Sequence, residues 1–291
     1  MSDASKYHLP KGTSADGPYD VSVTPGSAGW GHSGLRILPL GPGEAHALST
    51  GDCEFLVLPL NGGCTVTTGG ETFELRGRSD VFGSVTDFAY LPRESEALIS
   101  SAAGGRFALP TARTGRSSLS ARYGPKEGVP IELRGAGACS RQVNNYCLPG
   151  TFDAEQLLVC EVLTPGGNWS SYPPHKHDEA RPGVESELEE IYYFEVSGDG
   201  SGFGYQRVYG TPERPIDVLA EVRSGDTVLI PHGWHGPSIA APGYDLYYLN
   251  VMAGPGQDRA WLICDDPAHG WVRATWRSQD VDDRLPFGAN R

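Results

Sequence analysis

Short runs of apolar residues, separated by glycine and proline turns, recur along the whole chain. In the first half these runs lie at residues 35–40, 53–60, 64–70, 71–77 and 88–94. In the second half they lie at residues 156–167, 189–196, 202–210, 217–231, 245–254 and 259–266. The runs are rich in Val, Leu, Ile, Tyr and Phe, and their length and spacing are typical of strands in β-sandwiches and barrels. The pattern predicts an all-β protein.

The stretch between the two sets of runs predicts a connection between domains. Residues 108–138 are rich in Ser, Gly and Arg and contain many turn formers. The 291 residues of the chain also exceed the roughly 100–200 residues typical of one domain. Both halves show the same order of apolar strand, glycine turn, hairpin and rim, which indicates a duplicated barrel. We therefore expect two β-domains, residues 1–130 and 131–291.

Composition and charge limit the classes of partner. The formal net charge of −13 disfavours nucleic acid, because phosphate binding needs a basic face. A local cluster of Arg or Lys could still bind an anionic substrate. No apolar run approaches the roughly 20 residues that cross a bilayer, the N-terminal residues lack the apolar core of a signal peptide, and the six cysteines have no CxxC spacing. We expect a cytoplasmic protein with reduced thiols and no membrane or nucleic-acid partner, and homo-oligomer formation stays open.

Two histidines separated by one residue indicate a metal site. His175 and His177 lie in the segment PPHKHD. Alternate residues of a β-strand point to the same face, so the pair would place two imidazoles side by side on one wall of a barrel. Taken alone, the pair could equally be two surface histidines in a loop.

A second segment, GDTVLIPHGWHGPS at residues 225–238, adds a third imidazole. A Gly-Asp turn, an apolar strand and a proline precede His235, which would reach the barrel rim from a distant strand. His232 is the competing ligand, but it lies in a turn bounded by Pro231 and Gly233. We favour His235.

A glutamate would complete the ligand set. Glu189 and Glu190 open the strand EEIYYFEV. If Glu189 faced the barrel interior, Glu195 would bring a second carboxylate to the same face, whereas Glu190 shares its face with Tyr192 and apolar residues. Glu190 is therefore favoured. Three histidines and one glutamate suit a single divalent ion, with Zn²⁺, Mn²⁺, Fe²⁺ and Ni²⁺ all compatible.

These residues resemble the cupin double motif, in which an H-x-H-x-E segment is followed by G-x₅-P-x-G-x-H. Gly225, Pro231, Gly233 and His235 match the second half of the motif. The first half departs from it, because twelve residues, 178–189, separate His177 from Glu190 where most cupins have a much shorter spacer. The resemblance implies a bicupin, that is, two double-stranded β-helix (jelly-roll) barrels with the metal in the second.

A closer resemblance rests on PPHKHD, the acidic insertion, LEEIYYF and GYDLYYLNVMAGP. These segments look like the 5-deoxy-glucuronate isomerases of myo-inositol breakdown, a bicupin family related to the pectin-pathway uronate ketol-isomerases. The similarity spans residues 6–12 to 261–272. It implies conversion of 5-deoxy-D-glucuronate into 5-dehydro-2-deoxy-D-gluconate through an enediolate, with a divalent metal as Lewis acid and no organic cofactor.

The implied substrate carries a carboxylate and therefore needs a cationic anchor. Arg141, Lys176 and Arg207 are the candidates for substrate binding. Arg141 comes first, because arginine suits bidentate carboxylate recognition and Lys176 would point away from its histidine neighbours in a regular strand. An inter-domain salt bridge is the alternative role for Arg141.

The implied proton transfer needs a base and hydrogen-bond donors. Glu190 or a metal-bound water could serve as the base. Tyr192, Tyr248 and Gln206 could donate hydrogen bonds to substrate hydroxyls, although tyrosines in barrel strands commonly belong to the core. Glu190, Tyr192 and Tyr248 are thus the catalytic candidates, and Gln206 is a substrate-binding one.

The first barrel is expected to lack a metal and to be structural. Its histidines, His32 and His46, form no H-x-H pair, and Glu54 without imidazole partners would be a polar rim residue. The metal site of the second barrel also suits two other classes, an Fe²⁺ dioxygenase and a sugar-acid-binding cupin without turnover. Only the family resemblance favours the isomerase.

Overall fold

The computed structural model describes residues 3–288, and strands dominate it. The strands are β1 (His8–Leu9), β2 (Val21–Val23), β3 (Ser33–Leu40), β4 (Glu44–Ser49), β5 (Cys53–Thr68), β6 (Glu71–Arg78), β7 (Phe88–Leu91), β8 (Glu96–Ser101), β9 (Gly105–Arg113), β10 (Arg122–Gly124), β11 (Ile131–Arg134), β12 (Arg141–Cys147), β13 (Leu158–Thr164), β14 (Trp169–Ser170), β15 (His175–Lys176), β16 (Asp178–Arg181), β17 (Glu185–Glu187), β18 (Glu189–Val196), β19 (Gly204–Tyr209), β20 (Asp217–Val222), β21 (Thr227–Ile230), β22 (Trp234–Ala240), β23 (Leu246–Ala253) and β24 (Cys264–Asp265).

The helices are short. The α-helices are α1 (Asp3–Tyr7), α2 (Pro25–Ala28) and α3 (Val272–Thr275), and the 3₁₀ helices are Lys126–Gly128, Gly137–Cys139 and Trp276–Ser278. Within residues 3–288, no helix has the length and apolar character needed to span a membrane. The all-β prediction is confirmed.

The strands form two successive barrels. Strands β2 to β10 make one nine-stranded sheet. The second barrel has a seven-stranded sheet, in the order β1-β21-β18-β23-β13-β12-β11, and a six-stranded sheet that contains β14, β15, β19, β20, β22 and β24. The interior of the first barrel is filled by Leu38, Leu48, Phe55, Val57, Val66, Ile99, Phe107 and Leu109. The interior of the second contains Leu158, Cys160, Tyr192, Phe194, Val208, Val218, Val228 and Tyr248.

The connection between the barrels is shorter than the sequence pattern indicates. Residues 105–113 form β9, which pairs with both β3 and β5 in the first barrel. Phe107 and Ala108 on this strand are both fully buried, one in the barrel interior and the other between the barrels. A strand buried on both faces shows no polar alternation, which hid β9 from the sequence analysis. The division at residue 130 stays a prediction, and β1 pairs with β21 of the second barrel.

Three other predicted strands differ from the structure. The runs at 53–60 and 64–70 belong to one long strand, β5, which continues through Gly62. A side chain at Gly62 would collide with the backbone carbonyl oxygen of Gly104, and the φ angle of this residue is positive, so only glycine fits there. The run at 259–266 is a strand only at β24, and the residues before it form a loop.

Two glutamates join the barrels reciprocally. Glu54 of the first barrel accepts hydrogen bonds of 2.6–2.8 Å from the backbone N–H groups of residues 155–157, and also one from the hydroxyl of Tyr90. Glu189 of the second barrel accepts bonds of 2.7–2.9 Å from the N–H groups of residues 31–33. Glu54 is fully buried, so its assignment to a polar rim was wrong. Each carboxylate satisfies backbone donors of the opposite barrel.

A buried ion pair lies in the same interface. Arg78 of the first barrel is bound to Glu161 of the second, and both side chains are buried. The Tyr247 hydroxyl (2.8 Å) and the Asn144 amide (3.1 Å) also donate to Glu161. Because the carboxylate binds both the guanidinium group and two neutral hydrogen-bond donors, the buried charges of this ion pair are compensated.

We predict that Glu54→Ala lowers the free energy of unfolding by about 3 kcal/mol or more. The substitution leaves several buried donors without an acceptor, and each costs about 1–3 kcal/mol. Urea unfolding followed by tryptophan fluorescence measures the change. The control Glu71→Ala removes an exposed carboxylate at a strand end and should alter stability by less than about 0.5 kcal/mol. Equal effects of the two substitutions would contradict the assignment.

Candidate metal centre

Strands β15 and β22 bring three histidines together inside the second barrel. His175 lies directly opposite His235 in the register of these strands, and His177 follows at the end of β15. All three side chains are buried, and their candidate ligand atoms lie within 4.8 Å of one another.

Glu190 approaches the same point from β18. Its Oε2 lies 3.1 Å from Nε2 of His177 and 3.0 Å from Nε2 of His235. Burial alone would raise the pKa of Glu190, but the adjacent imidazoles of His235 and His177 outweigh it and lower that pKa to about 2. The carboxylate is therefore ionised at neutral pH, as a metal ligand must be.

The long spacer between His177 and Glu190 folds away from the centre. Strands β16 and β17 form an antiparallel hairpin within it. The backbone N–H of Leu188 donates to the carbonyl oxygen of His177 at 2.8 Å, which closes the base of the hairpin. Glu190 therefore reaches His177 despite the long spacer.

The donor atoms at this point fit a divalent metal. Nδ1 of His235 donates to the carbonyl oxygen of Gly233 at 3.2 Å, which leaves a lone pair on Nε2. That Nε2 is buried and, within residues 3–288, receives no hydrogen-bond donor, and the atom that approaches it is the acceptor Oε2 of Glu190 at 3.0 Å. Burial and the neighbouring His235 and His177 keep the pKa of His175 well below its ordinary value, so its imidazole is neutral. An orphaned lone pair, a neutral imidazole and a carboxylate around one point are the donors that such an ion requires.

His232 lies apart from this group. It is half-buried on the rim, and its Nε2 is 3.4 Å from the carbonyl oxygen of Pro215. The structure brings together His175, His177, Glu190 and His235, and not His232.

A small cavity of about 20 Å³ adjoins His175. Its lining includes His175, Ser171, Tyr192, Tyr248, Asn250, Trp261, Arg134 and Arg141. The residues that line it thus include two guanidinium groups, two phenols and one amide.

Arg141 reaches this cavity as a buried cation. Its Nη1 donates to the carbonyl oxygens of Cys139 (3.0 Å) and Tyr172 (3.4 Å), and its guanidinium lies 5.4 Å from the ring centre of Trp276. Neither of these hydrogen bonds involves a carboxylate. Burial lowers the pKa of Arg141 to about 10, which still leaves it charged at neutral pH. A buried cation with this environment favours binding of an anion.

Lys176 and Arg207 lie away from the histidines. Lys176 Nζ is 2.6 Å from Asp178 and 2.8 Å from the buried Glu185, on the opposite side of β15. Arg207 pairs with Asp217 at 2.5 Å on the outer face of the six-stranded sheet. Both cations already have carboxylate partners, so neither is available in the cavity.

The two candidate tyrosines share a serine. Ser171 Oγ lies 3.2 Å from the Tyr192 hydroxyl and 2.9 Å from the Tyr248 hydroxyl. Burial raises the pKa of both phenols, that of Tyr192 well above 10, so both stay protonated. Gln206 is buried and accepts a hydrogen bond from Ser238, but it does not line the cavity.

Asn250, Ser171, Arg134 and Trp261 were missed by the sequence analysis. Asn250 could have been found, because it is a polar residue on the interior face of β23, two positions after Tyr248. Arg134 and Trp261 come from an edge strand and a loop, where no periodicity marks the inward direction.

Comparisons with known proteins agree with this architecture. The model of the KduI/IolB family matches residues 7–272. A 5-deoxy-glucuronate isomerase of Geobacillus kaustophilus is 43% identical over 254 residues, which cover 87% of this chain and 90% of the relative. The enzyme of the same name from Bacillus subtilis strain 168 is 39% identical over 240 residues, covering 82% and 86%.

Solved structures give the fold. The crystal structure of an IolB-like protein from Salmonella typhimurium superimposes with a TM-score of 0.84 at 32% identity, covering 91% of this chain and 98% of that one. Oxalate decarboxylase of Lactobacillus farciminis gives a TM-score of 0.58 at 12% identity, covering 84% and 82%. These likenesses confirm the predicted cupin architecture.

We predict that His235→Ala loses the metal and His232→Ala keeps it. Metal analysis of protein purified without chelator should give close to one divalent ion per chain for the wild type and His232→Ala. His235→Ala removes a ligand, so its affinity should fall by more than the roughly 10–100-fold that loss of an outer-shell partner costs. Circular dichroism checks that both variants fold. Metal loss confined to His232→Ala would overturn the ligand assignment, and two ions per chain would contradict a metal-free first barrel.

Proposed function

The chain belongs to the KduI/IolB family, and from this membership we propose that it is an isomerase that converts 5-deoxy-D-glucuronate into 5-dehydro-2-deoxy-D-gluconate, a step of myo-inositol degradation. Relatives named 5-deoxy-glucuronate isomerase are 36–43% identical to it over most of both chains. Their names favour an aldose–ketose isomerase over an oxidative cupin or a binding module without turnover.

We propose one divalent ion as the cofactor, held by His175, His177, Glu190 and His235. When bound, such an ion would act as a Lewis acid on the carbonyl and hydroxyl oxygens of the substrate. The donor set suits Zn²⁺, Mn²⁺, Fe²⁺ or Ni²⁺.

The buried guanidinium group of Arg141 supports an acidic sugar as the substrate class. It is a buried guanidinium without a carboxylate partner among its hydrogen bonds, and it lines the same cavity as His175. An acidic sugar would supply the missing negative charge, and the planar guanidinium can bind a carboxylate through two parallel hydrogen bonds. A neutral sugar would leave this charge buried and uncompensated.

The remaining cavity residues would handle the protons. Isomerisation takes a proton from C2 of the aldose and returns one to C1, while the hydroxyl proton moves from O2 to O1. The ionised Glu190 is the candidate acceptor of the C2 proton. Tyr192 and Tyr248 are protonated and would donate to substrate oxygens as negative charge develops in the enediolate.

Substrate entry requires movement of the protein. The cavity has room for roughly one or two water molecules, far less than a six-carbon acid occupies. Trp261 lines it from the loop that precedes β24, and Leu262 on this loop is hydrogen-bonded to Ser186 of the hairpin. We infer that this loop moves outward to admit the substrate.

We propose a structural role for the first barrel. In the first barrel, Phe55 of β5 pairs with Leu91. In the second barrel, Glu190 of β18 pairs with Ile230 in the same way. Phe55 therefore occupies the position that corresponds to Glu190. Phe55 packs into an apolar interior, and within residues 3–288 the first barrel offers no similar set of donors.

The first functional prediction is turnover of 5-deoxy-D-glucuronate. NMR should show loss of the aldehyde signal and appearance of the ketose, at equal rates with and without oxygen, because isomerisation needs no oxidant. Consumption of oxygen without formation of ketose would instead identify an oxidative cupin.

The second concerns the carboxylate anchor. Arg141→Met keeps most of the side-chain volume and removes the charge. Hydrogen bonds to a charged group contribute about 1.5–3 kcal/mol, so KM should rise roughly 10- to 100-fold while kcat falls less. The control Arg207→Met removes an arginine of the outer sheet face and should leave both constants within about twofold. An unchanged KM for Arg141→Met would place the anchor elsewhere.

A further inference from the structure

Asn250 connects the candidate metal centre with the cavity. It lies on β23 and is only 3% exposed. Its Nδ2 donates to Oε1 of Glu190 at 2.9 Å, and its side chain also lines the cavity beside His175 and Tyr192. Its Oδ1 is buried and has no hydrogen-bond partner in the part of the chain that the structure describes.

The orientation of this amide follows from its neighbour. Nδ2 of Asn250 lies within hydrogen-bond distance of Oε1 of Glu190, so the NH₂ group and not the amide oxygen faces the carboxylate. The amide oxygen is then directed elsewhere as an unsatisfied buried acceptor, which costs free energy unless a donor reaches it. A hydroxyl group of a bound ligand is such a donor.

The first barrel lacks both members of this pair. Leu109 on β9 corresponds in position to Asn250 on β23. This correspondence follows from the same comparison of strand registers that matches Phe55 with Glu190. Both residues of the first barrel are buried in its apolar interior. The amide and the carboxylate thus occur together in one barrel and are replaced together in the other, which indicates that they work as a unit.

We propose that Asn250 is a residue with two roles, which positions Glu190 for the metal through Nδ2 and binds a hydroxyl group of the sugar acid through Oδ1. The proposal rests on the function proposed above and adds a residue that determines substrate specificity. With Oε1 held by Asn250, Oε2 is the oxygen of Glu190 left to face His177 and His235. The hydrogen bond from Asn250 also prevents rotation of the carboxylate, so that proton transfer by Glu190 would use the same oxygen, Oε2.

The positioning role is tested by metal affinity, which needs no turnover. The protein is stripped with a chelator and titrated with Zn²⁺ in competition with a chromophoric chelator. Asn250→Leu keeps the approximate shape and removes both hydrogen-bonding ends, and we expect a roughly 10–100-fold loss of affinity, as for other outer-shell partners.

Asn144 offers a matched control. It is also a buried asparagine that donates to a buried carboxylate, Glu161, but it lies between the barrels. Asn144→Leu should leave the Zn²⁺ affinity unchanged. If Asn250→Leu does not fold, as judged by circular dichroism, Asn250→Ala replaces it. Zn²⁺ affinity within twofold of wild type in the folded Asn250 variant would overturn the positioning role.

The substrate role is tested with unreactive sugar acids. Calorimetric titration of the metal-loaded protein compares D-gluconate with derivatives that each lack one hydroxyl group. In the wild type, one derivative should bind roughly three- to tenfold more weakly than D-gluconate because its hydrogen bond to Oδ1 is lost. In Asn250→Leu that difference should disappear, while the ratios for the other derivatives persist. Unchanged ratios in the variant would overturn the substrate role.

The two measurements also separate this proposal from the proposed function. If the wild type forms no ketose but Asn250→Leu shows the expected loss of Zn²⁺ affinity, the proposed isomerase function is refuted and the positioning role of Asn250 is retained. If the wild type forms the ketose but Asn250→Leu shows unaltered Zn²⁺ affinity and unaltered binding ratios, the proposed function is retained and both roles of Asn250 are refuted.

Discussion

The alternation of side chains along β18 links the two main features of this protein. Glu189 points out of the barrel and accepts three backbone hydrogen bonds from the first barrel. Glu190, the next residue, points inward to the histidines. A shift of one residue in the strand register would exchange these directions, bury the wrong carboxylate and separate the barrels. Interface and metal centre therefore depend on the same register.

Buried charges fall into two groups in this structure. Arg78 and Glu161 neutralise each other between the barrels, and neutral donors complete the coordination of the carboxylate. Arg141 is equally buried, and the hydrogen bonds of its guanidinium group within residues 3–288 go to backbone carbonyl oxygens, with a tryptophan ring beside it. Leaving such a charge uncompensated is unfavourable for folding. We interpret the first arrangement as structural and the second as preparation for a charged ligand.

The two barrels show how one scaffold supports either a packed interior or a site. In the first barrel, Phe55 and Leu109 fill the positions of Glu190 and Asn250 and contribute to an apolar core. In the second, Glu190 and Asn250 are buried and hydrogen-bonded to each other, and Nε2 of His235 and Oδ1 of Asn250 are the buried atoms for which we propose ligands. The small cavity beside them lowers the packing density locally, and we interpret it as space for a ligand.

The sequence by itself determined the strand content and the inward face of β18, because side-chain alternation and turn residues are local properties, whereas His235 was associated with His175 and His177 through the spacing of the cupin double motif. Only the tertiary structure decided which cations are free. Lys176 and Arg207 are neutralised by carboxylates that their own neighbourhoods bring close, whereas Arg141 is not. Likewise, Glu54 and Asn250 acquire their roles from partners about 100 and 60 residues away along the chain. Such pairings arise from strand order in the folded barrels, and no local pattern encodes them.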